Sequence, residues 1–347
     1  MKVSVAIVTY NHEKYLAKAL DSVLMQRTGF DFEIVVGEDH STDKTREILV
    51  DYQQKHPQKF RIFLNETNMG MYRNGAQVLE ACSGEYIAML DGDDYWTSPD
   101  KLQKQVDFLD AHADCAICYH NARIVYEDGS REPTSYRPRQ KQFSTVNDLF
   151  LDNFIPTCAV LFRNGLFGRL PAWVGALKMG DWLIHILNAL HGRIGYLDET
   201  MAVYVVHGGG IWSTKTWQDH EPAMIRMFEA LSEHMDSRYA GILAHILRWR
   251  YFELSQRYEQ IGDLARAGAC ASEALKKHAL IVSRPMKYGR WSDPEALNIL
   301  PPYVYSPTGA ILLRSMVRLY VIPFLRSHFN PLYRLLRAVA RKLKLGL

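Results

Sequence analysis

Three acids fall within four residues at Asp91-Gly92-Asp93-Asp94, directly after the apolar run 85–90. Clustered carboxylates repel and raise one another's pKa unless a cation compensates them. A hard divalent ion with oxygen ligands is the usual solution, and Mg²⁺ typically takes one or two carboxylates together with phosphate oxygens. One reading of the cluster is therefore a metal–diphosphate site. The other is a polar loop in which Asp94 or Ser98 caps the helix that follows. A second pattern, Cys115-Ala-Ile-Cys118, has the spacing of a zinc or redox pair. No further Cys or His pair stands at zinc-ligand spacing, and the apolar surroundings read as a strand with both thiols in a core. The five cysteines do not suggest a disulfide framework.

Elements must bring such residues to one place, and the first 110 residues alternate two periodicities. Residues 3–9, 32–36, 60–64 and 85–90 are short apolar runs bounded by polar or glycine residues, the pattern of buried strands. Between them, Tyr15, Leu16, Ala19, Leu20, Val23 and Leu24 form the stripe of a helix packed on a sheet. Asp43 is placed to cap a helix carrying Ile48, Leu49 and Tyr52, and 74–81 reads as a third, short helix. This βαβα order predicts a doubly wound, mostly parallel α/β sheet, whose ligands bind beyond the carboxyl ends of the strands. The polar clusters at 9–11, 38–43 and 91–94 all fall at those ends. Beyond them the sequence predicts a helix over 101–111, a strand over 115–125, a loop over 127–144 and a strand over 155–162. A helix over 181–191 and one or two strands over 194–207 follow, then the flexible Gly208-Gly209-Gly210.

The chain of 347 residues allows two or three domains at about 150 residues each. At 48% hydrophobic and 23% charged it is ordinary globular composition, which excludes wholesale disorder and fibrous classes. From about residue 219 to 280 the pattern is helical only, and 258–275 resembles one hairpin of a tetratricopeptide-type unit. The net charge of +3 hides an asymmetry: 296–347 holds eight Lys/Arg and no acid, leaving −5 over 1–295. On a helical wheel Leu332, Leu335, Leu336, Val339 and Leu343 share one face, opposite Arg334, Arg337, Arg341 and Lys344. Such a basic amphipathic tail is suited to an anionic membrane surface, or else docks on the body with a solvated basic face. It carries no nucleic-acid reading motif, so no nucleic acid is expected as a partner. The first residues lack the features of a signal peptide, and no stretch supplies about 18 uninterrupted apolar residues for a span. A cytoplasmic location, peripheral on the membrane, is the expectation.

At this point a family comes into view. Val8-Thr9-Tyr10-Asn11 after the first strand, Glu38-Asp39-His40-Ser41-Thr42-Asp43 after the second, Asn68-x-Gly70-x-x-Arg73-Asn74, and Gly84 through Asp94 together resemble family 2 glycosyltransferases of the GT-A fold. The resemblance covers roughly residues 1–210. It implies an inverting enzyme that moves a sugar from a nucleotide-sugar donor to an acceptor hydroxyl, with Mn²⁺ or Mg²⁺ as cofactor. The implied nucleotide-binding residues are Thr9, Tyr10, Asn11 and Glu13 after the first strand, then Asp39, Asn68, Arg73, Asp91 and Gly92. Thr9 and Asp39 match positions that contact the base, where a carboxylate can accept from the imide N–H of uracil or thymine. Asp93 and Asp94 are implied metal ligands. His207, ahead of the glycine loop, matches a segment that closes over the diphosphate and is a third candidate ligand. Met179-Gly180-Asp181-Trp182 resembles the acidic motif that supplies the catalytic base, here Asp181. Two positions depart from the pattern, with Glu38 and His40 standing where Asp and Gly are common.

These readings combine into a metal-dependent transferase with a catalytic domain over 1–215, a helical accessory domain over 216–285 and a basic amphipathic region over 286–347. UDP- or dTDP-sugars are the favoured donors, and a glycan or lipid-linked acceptor of cell-surface polysaccharide synthesis the favoured target. A nucleotidyltransferase would need a glycine-rich basic loop after the first strand, and Thr9-Tyr10-Asn11-His12-Glu13 is not one. A degenerate transferase serving as an assembly subunit is the non-enzyme alternative, against which the intact Asp91, Asp93 and Asp181 stand.

Overall fold

The computed structural model describes residues 1–171, 173–174, 177, 180–210 and 216–282. The glycine loop beyond Gly210 through residue 215, and the basic tail at 286–347, lie outside the described residues. The chain divides into two compact units, Met1–Ala223 and Met224–Leu347.

The first unit is a mixed sheet with helices between its strands. In chain order it contains β1 (Val3–Thr9), α1 (Leu16–Leu24), β2 (Phe32–Glu38), α2 (Thr45–Lys55), β3 (Phe60–Leu64), α3 (Met71–Ala81) and β4 (Tyr86–Asp91). These strands pair in the parallel order β3-β2-β1-β4. Val3, Val5, Ile7, Ile34 and Val36 are fully buried, as a parallel sheet covered on both faces requires. Helix α1 seals one face with Leu16, Ala19, Leu20 and Val23, all at zero exposure. The order reverses between β1 and β4, so the crevice at their carboxyl ends is the switch point at which such sheets bind ligands.

The rest of the sheet is built from β5 (Tyr95–Trp96), β6 (Cys115–Tyr126), β7 (Thr134–Ser135), β8 (Phe143–Ser144), β9 (Val160–Arg163) and β10 (Arg193–Val206), with helices α4 (Lys101–Ala111), α5 (Val146–Leu151) and α6 (Asp181–Ala189). Strand β9 enters antiparallel between β4 and β6, while β10 runs parallel to β6. Cys115 and Cys118 are buried, free thiols on β6, consistent with packing. Three local expectations change. The stretch 127–144 is not wholly loop, since β7 and β8 each add two residues to the sheet. The strand expected over 155–162 starts only at Val160, because Pro156 has no N–H for a ladder and the chain makes a tight 3₁₀ turn at Thr157–Ala159 first. Finally, Asp94 does not cap α4. Asp100 takes the N-cap position, and Ser98 Oγ accepts from its N–H at 3.3 Å.

Helix α7 (Trp217–His234) carries the chain into the second unit, where α8 (Ala240–Gln260) and α9 (Leu264–Val282) form a hairpin. Gly262 makes the turn at φ 80°, a region glycine enters without strain. Leu243, Leu247, Leu254 and Tyr258 on α8 and Ala267, Ala271 and Leu275 on α9 are among its buried residues. No helix among the described residues is long and apolar enough to cross a membrane.

Candidate active site

The acidic cluster is held where β4 ends. Gly92 N–H donates to Val8 O at 2.9 Å, so the turn continues the pairing of β4 with β1. A Cβ on Gly92 would stand 2.7 Å from Thr9 Oγ1 and 2.9 Å from His12 Nδ1, so only glycine fits. Asp94 is buried, and its Oδ1 accepts from Val205 N–H at 2.9 Å. That bond ties the acidic loop to the end of β10, and two residues later His207 Nε2 lies 2.9 Å from Asp93 Oδ2. His12 Nε2 approaches the same oxygen at 3.6 Å.

Electrostatics set the charge state of this arrangement. Burial, then the charges of Asp93 and Asp181, push the Asp91 carboxyl well above the usual range. Burial, then Asp93 and Asp91, do the same to Asp94, whose Oδ2 is buried without a hydrogen-bond partner. Asp93 differs: burial opposes ionisation, but the His207 hydrogen bond and the nearby imidazoles outweigh it, and its carboxyl is held low. The Asp93 hydrogen bond in turn raises His207, whereas burial lowers His12. Two carboxyls destabilised as anions and an orphaned carboxylate oxygen are relieved by a bound cation. Ligand atoms of Asp91, Asp93 and Asp94 lie within 4.8 Å of one another, and so do those of His12, Asp93 and His207. The residues present fit a divalent ion.

Asp181 opens α6 and lies near the same cluster, since its charge acts on Asp91. Its Oδ1 accepts from Trp182 N–H at 2.7 Å, so it does sit at a helix start. Its Oδ2 accepts from Thr157 Oγ1 at 3.0 Å and from Asn153 Nδ2 at 3.4 Å. Tyr72 borders Gly180, and its phenol is pushed up to about 12 by burial and then by the Asp181 charge. Tyr136 is raised by the same two causes. One turn along α6, His185 is fully buried with neither ring nitrogen hydrogen-bonded, and burial lowers it to about 4.

The other sequence-predicted residues fall into two groups. Thr9 is buried beside Gly92 and His12, and Tyr10 is 40% exposed at the mouth of the crevice. Asn11, at φ 55°, accepts from Thr42 N–H through Oδ1, and Glu13 Oε2 accepts from Lys44 N–H. These two side chains clamp the loops after β1 and β2 together. Asp39 Oδ1 accepts from Met69 N–H and Asn65 Nδ2, and its Oδ2 from Gly70 N–H. Of the roughly four acceptor positions on a carboxylate, three are taken, leaving one for a ligand. Asn68 Oδ1 also accepts from Gly70 N–H. Arg73 stands apart: it is exposed and lines a groove of about 490 Å³ with Arg61, Phe63 and Gln77, which none of the three clustered acids lines. The departure at Glu38 is explained by its fully buried carboxylate, which accepts from Ser41 N–H and pairs with Arg46. His40 takes the turn at φ 61°, the left-handed conformation for which glycine is common.

Sequence reasoning missed Asn153, Thr157, Tyr72 and Tyr136 around Asp181, and His12 beside Asp93. Pro156, breaking an apparent strand between two polar residues, was the signal for the first pair. For the tyrosines no local signal existed.

A switch-point crevice of this build, with acids at its floor, is the architecture of a GT-A-type glycosyltransferase. Residues 4–167 match the model of glycosyl transferase family 2, and the chain belongs to that family. It is 37% identical over 266 residues to the uncharacterized protein Rv1520 of Mycobacterium tuberculosis, covering 73% of this chain and 75% of the other. It is 29% identical over 189 residues, 51% of this chain and 73% of the other, to TuaG of Bacillus subtilis, a protein named for teichuronic acid biosynthesis. Among solved structures, Staphylococcus aureus TarS 1-349 in complex with UDP-GlcNAc aligns over 91% of this chain and 90% of its own, with a TM-score of 0.62 at 22% identity. The mannosyltransferase PcManGT of Pyrobaculum calidifontis, in complex with GDP-Man and Mn²⁺, aligns over 91% and 86% with a TM-score of 0.54 at 18% identity. At those identities the likeness is one of fold.

Proposed function

We propose that this glycosyltransferase transfers a sugar, with inversion, from a nucleoside-diphosphate donor to a hydroxyl of a glycan or lipid-linked acceptor. The observation that carries the reading is that Asp181, at the start of α6, is near enough to the cluster of Asp91, Asp93 and Asp94 at the β1/β4 switch point for its charge to act on Asp91. Thr9, Tyr10 and the open acceptor position on Asp39 line the base side, and a uracil or thymine imide N–H suits that acceptor. Asn11, Glu13 and Asn68 act by shaping the loops, and Gly92 by letting the diphosphate come close. Asp93, Asp94 and His207 hold Mn²⁺ or Mg²⁺, which when bound neutralises charge on the departing diphosphate. Asp181, oriented by Thr157 and Asn153, takes the acceptor proton as the oxygen attacks the anomeric carbon. Tyr72 and Tyr136 flank that proton's path as neutral phenols. Arg73, in its separate groove, is left to the outer edge of the donor site.

Support for a polysaccharide acceptor comes from the naming of TuaG, and for nucleotide-sugar donors from the ligands of TarS and PcManGT. The chain then reads as a catalytic domain over 1–215, a helical accessory domain over 216–285 and a membrane-facing tail over 286–347, peripheral on the cytoplasmic leaflet. Truncation near residue 307 is expected to release the protein from anionic vesicles; unchanged partitioning would remove the membrane part alone. Calorimetry with UDP, GDP and dTDP, each with and without Mn²⁺, tests the core of the reading. Binding of one nucleotide that requires the metal supports it. A folded protein that binds none overturns it.

A further inference from the structure

We infer that His12 is a further protein ligand of the cation, and that the second imidazole it adds to His207 makes the site select a first-row transition ion over Mg²⁺. The inference rests on the proposed role of Asp93 and His207 as ligands.

Two contacts and the space beside Gly92 fix His12 in place. Its backbone N–H donates to the buried Thr45 Oγ1 at 2.7 Å. Its Nδ1 lies 3.3 Å from Oγ1 of the buried Thr9, and the missing side chain at Gly92 leaves room for the ring. Thr9 Oγ1 can accept from Nδ1–H, the tautomer that leaves the Nε2 lone pair free. In that tautomer the lone pair sits on Nε2, 3.6 Å from Asp93 Oδ2, the same oxygen that His207 Nε2 meets at 2.9 Å. The two rings stand edge to face with centroids 6.1 Å apart, and Tyr15 packs on His207 at 4.6 Å. Ligands about 2.1 Å from a common ion stand about 3.0 Å apart at a right angle and about 3.4 Å apart at the tetrahedral angle. The separations of 2.9 and 3.6 Å from Asp93 Oδ2 bracket that spacing, and all three ligand atoms lie within 4.8 Å of one another.

With the proton on Nδ1, an imidazole lone pair and a carboxylate oxygen face each other, and a positive charge between them relieves the repulsion. A metal ion supplies it without protonating the ring. Mg²⁺ prefers oxygen ligands and keeps its waters, whereas imidazole nitrogen suits the first-row transition ions. A site of carboxylates alone would accept either ion; His12 and His207 together tilt it away from Mg²⁺.

The test uses the full-length chain, Mn²⁺ as probe, and the variants His12→Gln and His12→Ala. Free Mn²⁺ is read from its paramagnetic resonance signal, directly bound nitrogens from the pulsed ¹⁴N spectrum, and Mg²⁺ by competition. Two nitrogen couplings are expected in the wild type and one in each variant. Mn²⁺ affinity should fall by about 10–100-fold, no less than the loss of an outer-shell partner costs, with a smaller loss for Mg²⁺. A single nitrogen in the wild type, unchanged Mn²⁺ affinity in the variants, or no bound Mn²⁺ overturns the inference. Any of these would show His12 to be a plain ion-pair partner of Asp93. Should both variants fail to fold, the wild-type nitrogen count decides. The transferase reading fails separately: two-nitrogen Mn²⁺ without affinity for any of UDP, GDP or dTDP supports the metal site and removes the transferase.

Discussion

His207 Nε2 lies 2.9 Å from Asp93 Oδ2, although 114 residues separate the two in the chain. The contact exists because Asp94 Oδ1 accepts from Val205 N–H and so fastens the end of β10 to the loop after β4. One acid of the cluster thus anchors the strand that delivers the imidazole to its neighbour. Removing the metal with a chelator should abolish transfer, and added Mn²⁺ should restore it. Asp93→Asn should lose metal-dependent nucleotide binding in calorimetry while keeping its melting temperature, because the site is partly open at Asp93.

Asp181→Asn keeps the shape of the side chain and its helix-start position but removes the proposed proton acceptor. Transfer should fall by about 10²–10⁴-fold, the usual contribution of such a group, with the nucleotide affinity unchanged. Steady-state rates beside calorimetry check this. A loss of nucleotide binding in parallel would assign Asp181 to the donor site instead.

Gly92→Ala places a Cβ 2.7 Å from Thr9 Oγ1 and 2.8 Å from Thr9 Cβ. Thr9 ends a strand that is paired with β2 through Thr9 and with β4 up to Val8, and is buried, so it cannot yield easily. The strain should cost about 1–3 kcal/mol, visible in denaturant unfolding, and should weaken metal-dependent nucleotide binding as the acidic loop shifts.

His40→Gly acts in the opposite direction. His40 is exposed and holds φ 61°, a conformation that costs a non-glycine residue about 1–2 kcal/mol. After the entropy glycine loses on folding, a net gain of about 0.5–1 kcal/mol is expected, read as a small rise in melting temperature. A fall would show that the contact of its ring with Asn65 O outweighs the strain.

His185 gives a pH dependence whose sign is set by burial. Its folded pKa of about 4 lies below the ordinary 6.5, so between those values the unfolded chain binds the proton and the folded chain does not. Its contribution is intact above about pH 6.5 and is lost as pH falls toward 4, by about 3 kcal/mol in all. In His185→Leu that portion of the acid slope should vanish, and stability at pH 7 should rise because two orphaned ring nitrogens leave the core. Urea unfolding of both proteins from pH 4 to 7 checks it. Parallel curves would contradict the assignment.

The alternation of apolar runs and helical stripes was enough to place the four strands of the parallel half, with 60–64 matching β3 to the residue and 101–111 matching α4. A period of two or of 3.6 is a local property, and burial on both faces demands it wherever the sheet is central. The positions of Thr9, Asp39, Asp91 and Asp93 at strand ends were legible for the same reason, since chain order alone decides which end of a parallel strand is which. Tertiary structure decided the rest. Asn11 and Glu13 turned out to tie two loops together, and Asp39 to hold the start of α3 as well as to face the crevice. Thr157 and Asn153 reach Asp181 across 24 and 28 residues, and His12 shares an oxygen with His207. Pairings of this kind depend on strand register and on the angle at which separate elements meet. Those are set by packing between distant segments, and the amino-acid types at either end do not record them.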